Sequence, residues 1–187
     1  MKKKGRILVA LVFLMTAAFG CKVVNFAGED IFLTFTIDRT FDVSDSGTAF
    51  NSSVQVDLQD VFGDIDFASV EEISISAIEL TVTRNNTGPS TTASGRIAFN
   101  RVDSPFPTDI VLATFSNVNL NSVLGTPMTP FGALALLDIN AAGIAQFRAA
   151  AASVPVIRLS VSGTVSNPPV DFSGRVVLVM QVKLRTS

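Results

Sequence analysis

The chain contains no histidine, no tryptophan and no tyrosine, and a single cysteine in 187 residues. Without histidine there is no Ser-His-Asp triad, no imidazole ligand for zinc and no side chain that titrates near neutrality as a proton shuttle. Serine and threonine are plentiful, but no Ser-x-x-Lys spacing supplies a lysine as the substitute base. The missing tryptophan and tyrosine remove the customary stacking platforms for sugars and bases. Of the fifteen phenylalanines, the thirteen that follow Cys21 therefore read as core filling. One cysteine cannot close an internal disulfide, so the fold must hold by packing alone.

Charge is sparse and unevenly placed. Lys2, Lys3, Lys4 and Arg6 account for four of the fourteen basic residues, and none of the sixteen acids precedes Glu29. Beyond that leader ten basic residues face sixteen acidic ones, a net charge near −6. An acidic chain with scattered charges argues against nucleic acid and against a polybasic membrane patch. It describes a solvated surface.

The basic residues open a segment in which Ile7 to Ala18 is apolar and Phe19, Gly20 and Cys21 follow. A basic start, a short apolar run and small residues near a cleavage point are the marks of an export signal, and the run is too short to span a bilayer. The segment resembles a bacterial lipoprotein signal peptide, with Gly20 and Cys21 in the place of the lipobox small residue and its lipidated cysteine. Ala18 and Phe19 depart from the usual leucine and small residue of that motif. Ala18 and Gly20 also fit ordinary secretion, which would cut the same bond, and an uncleaved anchor is the third alternative. The resemblance implies diacylglycerol on the Cys21 sulfur, a use for the one thiol. It also implies a cell-envelope location, and Lys22 in place of aspartate points to the outer membrane. The expected organisation is a signal peptide over residues 1–20, a lipidated N-terminus and tether over 21–29, and one domain over 30–187. Nine residues between Cys21 and Ile31 span at most about 30 Å.

Period-two alternation dominates the remainder. Ile31, Leu33, Phe35, Ile37, Phe41 and Val43 alternate with Thr34, Thr36, Asp38, Thr40 and Asp42, the pattern of a half-buried strand. Phe50, Ser52, Val54, Val56 and Leu58 form a second such set. The set Ile73, Ile75 and Ala77 changes parity to Ile78, Leu80 and Val82, which predicts a bulge or bend near Ala77. Further strands are expected at 95–102, 109–120, 155–165 and 172–185. Val176 to Met180 is apolar on both faces, so the last strand should be central or covered. The exception is 141–152, alanine-rich, with Asn140 as N-cap and with Ile144, Phe147 and Ala151 on one face. It predicts a helix closing one end of the β core, with Pro155 helping to end it.

The chain also repeats. Ile78, Leu80, Val82, Pro89, Ser94, Gly95 and Arg96 recur 79 positions later as Ile157, Leu159, Val161, Pro168, Ser173, Gly174 and Arg175. At the same offset Asp30, Ile31 and Leu33 match Asp109, Ile110 and Leu112; after a two-residue slip Phe50 and Asp57 match Phe131 and Asp138. The expectation is a mostly β, antiparallel β-sandwich built as a tandem pseudo-symmetric duplication of residues 30–99 and 109–178. If 141–152 is helical, its counterpart at 58–68 should hold at least a short helix. Two hairpins sharing turn chemistry are the plainer alternative.

Residues that carry chemistry are few. Asp57, Asp60, Asp64 and Asp66 are weak calcium candidates; their spacing is not an EF-hand loop, and a helix cap plus a solvated turn explains them equally. Asp38, Asp42 and Asp45 are weaker still. Glu71 and Glu72 are neighbours on a strand and point to opposite faces, a poor acid and base pair, and Glu79 stands alone. Arg96 and Arg175, at equivalent strand starts, read as partners of nearby acids. The loops 85–94 and 162–170 are polar, proline-bearing tips suited to contact.

No cofactor and no catalytic residue is indicated. The expected function is a membrane-anchored envelope lipoprotein with a noncatalytic structural or protein-interaction domain, its partners the membrane and an envelope protein. An apolar-ligand or lipid carrier is the first alternative, and a calcium-dependent adhesin or histidine-free hydrolase the second.

Overall fold

The computed structural model describes residues 31–63, 65, 69–102, 109–151 and 156–184. Cys21 with its leader, Asp64, Asp66 and Pro155 lie outside them. Along the chain run β1 (Ile31–Asp45), β2 (Ala49–Asp57), α1 (Leu58–Phe62), β3 (Val70–Asn85), β4 (Thr92–Arg101) and β5 (Ile110–Asn119). Then come β6 (Asp138–Ile139), α2 (Ala141–Ala151), β7 (Val156–Val165) and β8 (Val170–Leu184). The strands form two sheets, one of order β1-β8-β3 and the other of order β2-β7-β4-β5-β6. Every strand pairing is antiparallel, and the sheets pack face to face as a β-sandwich.

The alternation read from the sequence sets the faces. On β1, Ile37, Phe41 and Val43 are buried while Thr34, Thr36, Asp38, Thr40 and Asp42 are exposed. The parity change in β3 is a bulge, because its register against β8 shifts between Ile75 and Ala77. The extra residue returns Ile78, Leu80 and Val82 to the core. β8 is central as expected, paired with β1 on one side and β3 on the other, and Val176, Leu178, Met180 and Val182 are fully enclosed.

Phenylalanine ties the layers together. Phe50 on one sheet meets Phe172 on the other edge to face at 5.2 Å between ring centroids. Phe35 stacks against Phe62 of α1 at 4.9 Å, and Phe99 against Phe147 of α2 at 5.1 Å. Side chains of the two inner faces thus meet directly, within one cluster of buried phenylalanine and aliphatic side chains.

Both helices start as capping chemistry predicts. The Asp57 carboxylate accepts from the Gln59 N–H, and Gly63, at φ 64°, ends α1 after five residues. The Asn140 side chain accepts from the Gly143 N–H to open α2. Gly143 is required where it stands, since a Cβ there would collide with the Val111 carbonyl and push α2 off β5.

The 79-residue offset maps onto the topology. Exchanging β1 with β5, β3 with β7 and β8 with β4 turns the order β1-β8-β3 into β5-β4-β7, which is the run found inside the second sheet. The same exchange carries α1, packed on β1 and β7, onto α2, packed on β5 and β3. The short helix expected within 58–68 is present as α1.

The correspondence fails between Leu120 and Ile139. Where β2 runs nine residues along β7, the matching segment, among the described residues, bonds to the β3 backbone at Leu80, which exchanges both backbone hydrogen bonds with Met128, and at Val82, whose carbonyl accepts from Gly125. Pro127 and Pro130 cannot donate to a ladder, and Gly125 and Gly132 sit at φ 72° and 102°. A regular strand is therefore blocked here. Phe50 is 4% exposed, whereas its counterpart Phe131 is 85% exposed.

This contrast predicts opposite mutational costs. Phe147→Ala should destabilise by roughly 3–5 kcal/mol, because it removes a fully enclosed ring. Phe131→Ala should change stability by less than about 0.5 kcal/mol. Urea unfolding of the two variants checks both values.

Candidate functional site

The acidic candidates separate into occupied and solvated groups. Asp57 is committed to capping α1, and Asp60, in its first turn, is exposed. Asp64 and Asp66 lie outside the described residues. Among the described residues no three acids or other metal-ligating side chains converge.

On the outer face of the β1-β8-β3 sheet, charges are paired across strands. Arg175 holds Asp38 through two hydrogen bonds, Nε to Oδ1 at 2.7 Å and Nη2 to Oδ2 at 2.5 Å. The register brings Thr40 opposite Arg175, so Asp38 is the diagonal neighbour on the same face. Arg84 bridges Asp171 at 2.9 Å and donates to Ser173, whose hydroxyl donates to Asp42 at 2.6 Å. Lys183 pairs with Glu71 at 3.1 Å, which removes Glu71 as a free acid or base. On the other sheet Arg96 donates to Ser162 and reaches Asp109 at 3.3 Å. Arg96 and Arg175 thus both pair with acids, as the sequence predicted.

The loop after β3 is held to the start of β8 rather than left free. Asn86 and Thr87 bond the Asp171 carboxylate and backbone, and Thr87 both donates to the Asp171 carbonyl and accepts from its N–H. Hydrogen bonding from Asn86, aided by the Arg84 charge, holds the Asp171 carboxyl below its usual range. Arg175 does the same to Asp38, first through its hydrogen bonds and then through its charge.

The feature of these surfaces that the sequence did not predict is a cleft of about 370 Å³ between β3, α2 and the 129–131 turn. Its walls are Ile75, Ile78, Phe131, Ile139 and Ile144, with Arg148 at the rim. The bulge at Ala77 and the early departure of the 124–129 segment from β3 together open it. Beyond Leu80, whose N–H and C=O both face Met128, the regular register makes Ile78 present its backbone to the same side. No described strand pairs with Ile78 there. No local pattern locates this cleft, since Ile75, Phe131 and Ile144 come from three separate parts of the chain.

No known protein family and no curated protein matches the chain. Solved structures give distant likenesses. A chain of Desmodium yellow mottle tymovirus is 9% identical, over 90% of this chain and 97% of that one, with a TM-score of 0.35. A turnip yellow mosaic virus chain is 12% identical, over 85% and 98%, at 0.31. A chain of infectious bursal disease virus strain Gx is 13% identical, over 88% of this chain and 37% of that one, at 0.33. These superpositions are loose, and the β-sandwich assignment rests on strand order and register.

The paired acids predict a pH dependence of stability. Asp38 and Asp171 both have folded values below the ordinary 3.8, so their contribution is complete above that pH. It is lost as pH falls through the folded values. Stability should hold level down to about pH 4 and then decline as these pairs protonate. Asp38→Asn should flatten part of that decline and cost no more than about 1 kcal/mol at neutral pH, the scale of an exposed pair. Urea midpoints measured from pH 7 to pH 2 test both statements.

Proposed function

We propose that the chain is a lipid-anchored protein of the bacterial cell envelope whose β-sandwich is a noncatalytic structural or interaction domain. The observation that carries this reading is the one cysteine placed directly after Gly20 at the close of an export-type leader. Residues 1–20 are the signal, 21–29 the lipidated tether and 30–187 the domain. Two acyl chains or more make attachment stable, at about 0.8 kcal/mol per buried methylene. The outer membrane is the destination that Lys22 favours.

Two features of the domain support a role at the surface rather than in the interior. The space between the sheets is taken up by packed phenylalanine and aliphatic side chains, so a ligand or partner meets the outside of the sandwich. Among the described acids, the four with ion-pair partners pair with a cation of their own sheet. A carrier of apolar ligands is the second reading, favoured by the cleft beside α2.

The expected mature N-terminus is Cys21 bearing diacylglycerol, read by mass spectrometry of protein taken from its native membrane. Cys21→Ser should shift the protein from the membrane to the soluble fraction. An unmodified thiol on Cys21, or a mass retaining Met1, contradicts the reading.

A further inference from the structure

Phe131 is the place where the internal correspondence and ordinary burial both fail. It stands 85% exposed, and Leu124, Leu136 and Ile139 are exposed at 44%, 37% and 40%. Four of the six exposed large hydrophobic residues among those described therefore lie in one stretch of the chain. Scattered singly they would need no explanation; gathered on one segment they mark a surface meant for an apolar medium.

Charge placement identifies that medium. The domain is acidic, yet no charged residue occurs from Ile110 to Leu137. Carrying a charge into a bilayer is costly, so a segment that is to enter one must be nearly free of them. Arg148, exposed on the cleft rim, has no ion-pair partner among the described residues. It is placed to meet a lipid phosphate. Asp138 and Glu79 flank the apolar residues and limit entry to the interfacial layer.

The tether brings this face within range. Ile31 lies opposite Leu184, and Leu184 opposite Val70, so β3 begins about 10 Å from the root of the tether. Ile75 to Ile78 lie five to eight residues further along β3, roughly 16–26 Å. A tether of at most about 30 Å lets that edge reach the membrane that holds Cys21.

We propose that the segment 124–139 is a membrane-contact face, on which Phe131, Leu124, Leu136 and Ile139 enter the interfacial layer of the bilayer and Arg148 sets against lipid phosphate. The proposal rests on the lipid-anchor reading for its reach, but not for the insertion itself. An anchored domain with this contact is held in one orientation, with the outer face of β1-β8-β3 and the β2 edge turned elsewhere. The contact also covers the cleft, whose apolar walls then face acyl chains while Arg148 stays at the level of the headgroups.

Because the chain has no tryptophan, Phe131→Trp adds a lone fluorophore at a position where the core is untouched. The full chain carrying it is reconstituted in phosphatidylethanolamine and phosphatidylglycerol vesicles, with or without bromine on the acyl chains. The expected result is blue-shifted emission that brominated chains quench several-fold. Ser53→Trp, on the exposed edge of β2, should keep water-like emission in the same vesicles. Water-like emission from the Phe131→Trp protein, quenched by aqueous iodide, overturns the proposal; so does a blue shift that bromine leaves unchanged, which means that protein covers the residue. The N-terminal mass of the same sample reports the anchor separately. If Cys21 proves unmodified, vesicles added in excess still decide the point, since insertion requires bromine quenching and its absence overturns the contact.

Discussion

Val176, Leu178, Met180 and Val182 point one side of β8 into the sandwich and are fully enclosed there, while the backbone of the same strand carries β1 and β3 on its two edges. That double commitment organises the molecule. A strand so placed must be apolar on its inner face and tolerably apolar on its outer one, which is how Val176 to Met180 reads. Once β8 is fixed, β1 and β3 are fixed in register, and their inner side chains meet Phe50, Phe99 and the rest of the second sheet. The resulting core is full.

The outside is divided by the chain's internal likeness and by where that likeness stops. Strands that correspond at the 79-residue offset occupy equivalent places in the two sheets, and each helix spans an equivalent gap between them. Two nearly equivalent halves would each cover the edge of their third strand with a full-length neighbour. On the β7 side β2 does so. On the β3 side Pro127, Pro130 and two glycines at positive φ shorten the neighbour to two contacts. The shortening leaves Phe131 in solvent and the cleft open beside α2. Irregularity at one place in a regular fold thus gives the domain a face unlike its others.

Most of the fold was legible because it rests on local rules. Period two fixed the inward faces of β1 and β2, the change of parity at Ala77 located a bulge that the register confirms, and Asn140 announced the helix that its side chain caps. Residues 120–139 were not legible, since proline, glycine and short apolar runs in that span satisfy neither a strand nor a helix period. The contacts made by Met128 depend on where β3 lies, which no local pattern encodes. The cleft was illegible for the same reason: Ile75, Phe131 and Ile144 meet only after the sheets have packed. The cation–acid pairs stand between these cases. Arg96 and Arg175 were expected to find acids, but Asp38 and Asp109 are chosen by register.

Amide hydrogen exchange is the most direct test that a closed sandwich turns one irregular face toward the membrane. The comparison is between the lipidated chain on vesicles and its Cys21→Ser form in buffer. The account predicts slow exchange in β4, β7 and β8 in both forms, with added protection on vesicles confined to 124–139 and the neighbouring edge of β3. Equal exchange of 124–139 in the two forms, or a change spread through the central strands, would contradict it.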